Sequence, residues 1–104
     1  MVYNIEITDF AFKQLDSILN YIINQLQNPD AAAAVMDDFD EAIIKLERSA
    51  GSLKPCEEAE LAQHGYRRYH LARHRYVLLY RIDGRNVFID RIYHELQDYH
   101  NLEA

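Results

Sequence analysis

The chain is short of the residues that staple, break or anchor a fold. It has one cysteine, Cys56, so no intramolecular disulfide can form, and this fits a reducing cytoplasm. One thiol does not build a zinc site, and His64, His70, His74 and His100 lack tight ligand spacing, so neither metal nor cofactor is expected. Three glycines and two prolines in 104 residues leave no room for a Gly/Pro-rich linker, a glycine-rich phosphate loop or a Gly-x-Ser-x-Gly elbow. No apolar run approaches the length of a membrane span. The start, Met1-Val2-Tyr3-Asn4-Ile5-Glu6, lacks the basic and apolar stretches of a signal peptide. The expectation is one cytoplasmic domain over residues 1–104, with no membrane segment.

Charge is abundant but uneven. The net charge is −6, and the acids dominate residues 1–64 and 92–104. Residues 65–91 instead carry seven arginines, no lysine and two acids. A chain acidic overall should repel nucleic acid, so direct DNA binding is not expected. The arginine stripe is either a solvated sheet face or a surface for planar, bidentate pairing with carboxylate or phosphate. Tyrosine dominates the aromatics, eight against four Phe and no Trp, and Tyr66, Tyr69, Tyr76, Tyr80, Tyr93 and Tyr99 interleave with the arginines. Such mixtures occur at protein-binding surfaces and on single-strand nucleic-acid platforms; the acidic total favours protein.

Periodicity divides the chain. Tyr3, Ile5 and Ile7 alternate with polar residues as in a half-buried strand. Asp9 is placed to cap a helix whose stripe is Ala11, Leu15, Ile18, Ile22 and Leu26. Asn28-Pro29 opens a second helix, with Ala32, Val35, Met36, Phe39, Ala42, Ile43 and Leu46 facing inward and Gly51 able to stop it. The two should form an antiparallel hairpin. Residues 50–64, with Pro55 and Glu57-Glu58-Ala59-Glu60, read as an exposed loop. Strands follow at Tyr66–Leu71, Arg75–Ile82 and Val87–Tyr93, with Asp83-Gly84 as a hairpin turn. The fold class is α+β, order β-α-α-β-β-β, a helical hairpin packed on an antiparallel sheet. Which face of the sheet meets the helices is open, because apolar and charged residues fall on both. The form of the tail, 95–104, mobile or helical, is open too.

Five segments, in order, resemble the RelE/ParE superfamily of type II toxins. Tyr3-Asn4-Ile5-Glu6-Ile7-Thr8 resembles its first strand, and Leu26-Gln27-Asn28-Pro29-Asp30-Ala31-Ala32 its interhelical signature. Gly65-Tyr66-Arg67-Arg68-Tyr69 is similar to the opening of its second strand. Tyr76 to Gly84 looks like the central hairpin, and Val87 to His94 with Gln97-Asp98 like the last strand and tail. The resemblance implies a cytoplasmic toxin of a plasmid-stabilisation module, neutralised by a cognate antitoxin. Some members cut mRNA on the ribosome; ParE-type members inhibit DNA gyrase by binding.

Site residues separate these readings. The ribonuclease members place an arginine three residues before the tyrosine matched by Tyr80, and here that position is Val77. The His94–Asp98 spacing resembles the ParE-type tail instead. The gyrase reading therefore leads. A ribosome-dependent endoribonuclease with Arg81, His94 and Arg68 as catalytic groups is the alternative, and a non-toxic partner-binding remnant is the third. All three expect a partner surface made of Arg67, Arg68, Tyr69, Arg75, Arg81, Arg91, Tyr93, His94, Asp98 and Tyr99. Cys56, in an acidic loop, is expected to have a raised pKa and no nucleophilic role.

Overall fold

A computed structural model describes residues 2–96; the tail beyond Leu96, with Asp98 and Tyr99, lies outside it. Strand β1 (Asn4–Ile7) leads into helix α1 (Asp9–Asn20). The cap is Thr8 rather than Asp9, its side-chain oxygen accepting the Ala11 N–H at 3.2 Å. Thr8 is held there because its own N–H and hydroxyl both donate to the Ile89 carbonyl. Asp9 falls in the first turn, where its charge complements the helix dipole. The helix widens into a π-helical turn, Tyr21–Gln25, before Gln27 (φ 50°) reverses the chain. Helix α2 (Pro29–Ser49) then starts as the sequence indicates, with the Asn28 side chain accepting the Ala31 N–H at 3.1 Å and Pro29 in the first turn. A 3-10 turn, Ala50–Ser52, ends it. At Gly51 the Tyr3 hydroxyl sits where a Cβ would stand, so a larger residue there would displace the end of that side chain.

The residues expected to form an exposed loop do more. Residues 53–64 make a strap across the sheet, ending in the short helix α3 (Ala59–Gln63). Pro55 bridges Arg67, and the Cys56 N–H donates to the Tyr66 carbonyl at 3.0 Å. Burial drives this: Cys56, with Leu61 packed beside it, covers Val77, Leu79 and Tyr93, which the helices do not reach.

Strands β2 (Tyr66–His70), β3 (Tyr76–Asp83) and β4 (Asn86–His94) follow. Gly84 takes φ 62° in the turn Gly84–Arg85, a conformation open to a residue without a Cβ. The order in the sheet is β1-β4-β3-β2. The last three strands pair antiparallel, as expected from their short connections, but β1 lies parallel to β4. The sheet is therefore mixed rather than wholly antiparallel. A tight turn forces its strands to oppose, whereas the helical hairpin between β1 and β2 leaves the direction of β1 free.

The helices cover one face. Ala11, Leu15, Phe39, Ala42 and Leu46 pack on Leu78, Tyr80, Val87, Ile89 and Ile92. Tyr80 is wholly buried and donates to the Ala50 carbonyl at 2.8 Å, which ties the end of α2 to the sheet centre. The even-numbered side chains of β3 thus face the helices. On β4 the inward residues step from Val87 and Ile89 to Ile92 because Asp90 is an extra residue: Leu79 pairs with Arg91 and Tyr80 with Ile89. That β-bulge explains why simple alternation along β4 did not reveal its inner face.

Candidate functional site

The arginine stripe resolves into pairs. On the face away from the helices, Arg68 donates through both terminal nitrogens to the two Glu58 oxygens (3.0 and 3.1 Å) and through Nε to the Tyr93 hydroxyl (2.9 Å). Burial opposes the charge on Arg68, but these bonds outweigh it and hold the guanidinium firmly protonated. Burial raises the Tyr93 pKa, the contact with Arg68 working against it. Burial also raises the Cys56 pKa, so this thiol stays protonated near neutrality.

One strand pair along, the bulge aims Asp90 at two donors. Its Oδ2 accepts from the Tyr66 hydroxyl (2.7 Å) and from Arg81 Nε (2.9 Å). Arg81 also lies 4.3 Å from the centre of the Phe88 ring. Burial and then the bond to Asp90 raise the Tyr66 pKa. Arg91 donates to the Asp90 carbonyl at 3.0 Å and sits over the Phe10 ring at 4.3 Å. Arg67 turns away to the carbonyls of Gly51 and Leu53, and Tyr69 is half-buried against the helix-side core.

The opposite end of the sheet holds another group. Arg75 donates to Glu95 at 3.1 Å, and His70 lies 3.4 Å from the same carboxylate. The His94 ring meets Tyr76 edge-on at 5.4 Å, and its Nδ1 accepts the Leu96 N–H at 3.2 Å. Since His94 pairs with Tyr76, five residues before Arg81 on β3, the two sites stand roughly 17 Å apart along the strand. His94 and Arg81 also project from opposite faces. Arg81, His94 and Arg68 do not converge on one reacting atom.

Sequence reasoning missed several participants. Asp38, buried in the stripe of α2, accepts the Arg73 N–H and faces His74 Nδ1, both at 2.9 Å, pinning the β2–β3 loop to the helix. Glu41 pairs with Arg73. Asp38 does stand on the inward face of α2, a signal available from periodicity alone. A groove also went unnoticed. β4 runs on past the end of β1, and there the Ile92 N–H donates to the Gln14 side chain of α1 at 2.7 Å. Phe10, Lys13, Gln14, Ser17, Ile18 and Ile92 line a groove of about 310 Å³ there. Among the described residues no three His, Cys, Asp or Glu gather as metal ligands, and no helix is long and apolar enough to cross a membrane.

The family model described as "ParE toxin of type II toxin-antitoxin system, parDE" matches residues 5–99. No curated protein matches the sequence. Among solved structures, a chain of the chromosomal ParDE toxin–antitoxin system from P. aeruginosa superposes with a TM-score of 0.73 at 24% identity, over 89% of this chain and 96% of that one. A chain of the RelBE2 toxin–antitoxin complex from Mycobacterium tuberculosis superposes with a TM-score of 0.59 at 27% identity, over 90% and 99%.

Proposed function

The chain belongs to the ParE toxin family of type II toxin–antitoxin systems, and from that premise we propose that it poisons by binding, with DNA gyrase as target and a cognate antitoxin as its neutralising partner. The observation that carries the first part is the state of Val77. It is 2% exposed beneath the strap, in an apolar cluster with Leu79 and Tyr93. The position at which ribonuclease relatives carry an arginine is thus filled by a methyl-bearing side chain. Phosphodiester cleavage needs a base, an acid and a cation gathered around one phosphate. Here Arg81 is paired with Asp90, Arg68 with Glu58, and His94 stands at the other end of the sheet. That dispersal favours a binding surface over a reaction centre.

The antitoxin reading draws support from the groove between α1 and β4. It combines an apolar floor, Ile18 and Ile92, with Lys13 on its wall and the Arg91–Phe10 pair nearby. An acidic, apolar segment from a partner fits that chemistry. Of the two similar structures, one is of a ParDE toxin–antitoxin system and the other of a RelBE2 toxin–antitoxin complex.

Expression of the chain without antitoxin tests the target. The expected outcome is cell filamentation and DNA breaks that disappear in cells with a resistant gyrase. Intact DNA with rapid loss of mRNA would move the chain to the ribonuclease class, and unimpaired growth at high expression would make it a non-toxic binder.

A further inference from the structure

The strap offers a site that the toxin reading does not use. Glu58 and Leu61 are three residues apart, so the turn around α3 presents both to the sheet. The carboxylate goes to Arg68, and Leu61 goes to the patch of Val77, Leu79 and Tyr93. Arg68 is well prepared for a carboxylate: two parallel N–H donors face it, and the Tyr93 oxygen holds Nε from behind. Such bidentate pairing is geometrically selective.

The strap's ties to the sheet include the Pro55–Arg67 bridge, the Cys56–Tyr66 hydrogen bond, the Arg67 bond to Leu53 and the Glu58 pair, and Leu53 packs on the helix-side core. Cys56 is its one fully buried apolar residue. Segments with so few buried contacts open locally at free energies far below global unfolding.

We propose that Arg68, Tyr93 and the Val77–Leu79 patch form a docking subsite for an acidic partner segment, and that the strap occupies it in the free protein as an internal stand-in. The matching ligand is a helical turn with a carboxylate residue followed, three positions on, by a leucine-sized side chain. A partner carrying that pattern replaces Glu58 on Arg68 and Leu61 on the patch, and the strap swings out. The proposal deepens the reading of this chain as half of a bound pair, since it assigns a second contact for the acidic partner.

The test uses the whole chain and a synthetic peptide with the sequence of residues 53–64, serine replacing cysteine. In Glu58→Gln, the backbone amides of Cys56 and Ala62 should exchange about tenfold faster while core amides stay protected. The peptide should bind Glu58→Gln, and about tenfold more weakly once its own matching glutamate becomes glutamine. Arg68→Lys, which keeps the charge but loses the fork, should also bind weakly. Strap amides that exchange only with global unfolding, or equal binding of the acid and amide peptides, would overturn the proposal. These readouts need neither gyrase nor antitoxin. Failure here leaves the toxin reading standing, and failure of toxicity leaves this result standing.

Discussion

At the scale of single residues, the most constrained group is Asp38. Its carboxylate is 1% exposed, and its Oδ2 accepts from the Arg73 backbone and faces the His74 ring. Burial pushes its pKa up, but the bonds from His74 and Arg73 outweigh burial and the net shift is downward. A carboxylate whose pKa is depressed by folding stabilises the fold above its unfolded pKa. That contribution disappears as pH falls through the folded value. The protein should therefore lose stability on acidification below the ordinary carboxylate range. Asp38→Ala should cost about 2 kcal/mol at neutral pH, by orphaning the Arg73 N–H and the His74 ring, and should flatten the acid limb. Urea unfolding from pH 7 to 3 checks both. A variant with an unchanged acid limb would remove Asp38 from the account. Burial alone predicts the opposite shift, so the sign of the effect reports the hydrogen bonds.

Among the elements, β4 carries the most consequence per residue. The bulge at Asp90 lets Ile89 and Ile92 both face the helices while Asp90 and Tyr93 serve the other side. Deleting Asp90 restores strict alternation with Ile89 and Ile92 still facing the helices, because the residue removed is the extra one. What the deletion loses is the carboxylate that receives Tyr66 and Arg81, at a cost of about 1–3 kcal/mol. Asp90→Ala, which removes the same carboxylate and keeps the extra residue, should therefore unfold at a denaturant midpoint close to that of the deletion. A deletion far less stable than Asp90→Ala would mean that the extra residue itself is needed to seat the strand. This element also marks the limit of what the sequence reveals. The helical hairpin was legible because its stripe repeats at helical period and Asn28-Pro29 punctuates it. The β2–β4 meander was legible from β-formers on either side of Asp83-Gly84. The bulge was not, because an inserted residue leaves no compositional mark. Nor was the strap: two apolar side chains, Cys56 and Leu61, in an acidic run look like solvent-exposed loop. Of the two readings of the arginine stripe, pairing with carboxylate describes Arg68, Arg75 and Arg81. Their partners Glu58 and Asp90 were hidden, since those contacts depend on how strands and strap lie beside one another. The dispersal of Arg81 and His94 to opposite faces was hidden for the same reason.

For the molecule as a whole, charge and shape act together. A net charge of −6 disfavours contact with DNA, and four of the seven arginines between residues 65 and 91 (Arg68, Arg73, Arg75 and Arg81) pair with carboxylates of the chain itself. Recognition of a partner must then depend on shape plus a few local cations. The groove at the end of β1 has that character: Lys13 on the wall, Ile18 and Ile92 at the base, and the small Ser17 side chain leaving the space open. Ser17 lies on the exposed side of α1, so Ser17→Trp should leave stability within about 0.5 kcal/mol of the parent. Its ring would occupy the groove. Capture of the cognate antitoxin, measured by titration calorimetry, should weaken at least about tenfold, whereas Lys13→Gln should act mainly through salt dependence. In cells, Ser17→Trp should stay toxic in the presence of antitoxin if the target uses another surface. It should be both non-toxic and unneutralised if target and antitoxin compete for this groove. Full neutralisation of a toxic Ser17→Trp variant, with unaltered affinity, would place the antitoxin elsewhere on the molecule.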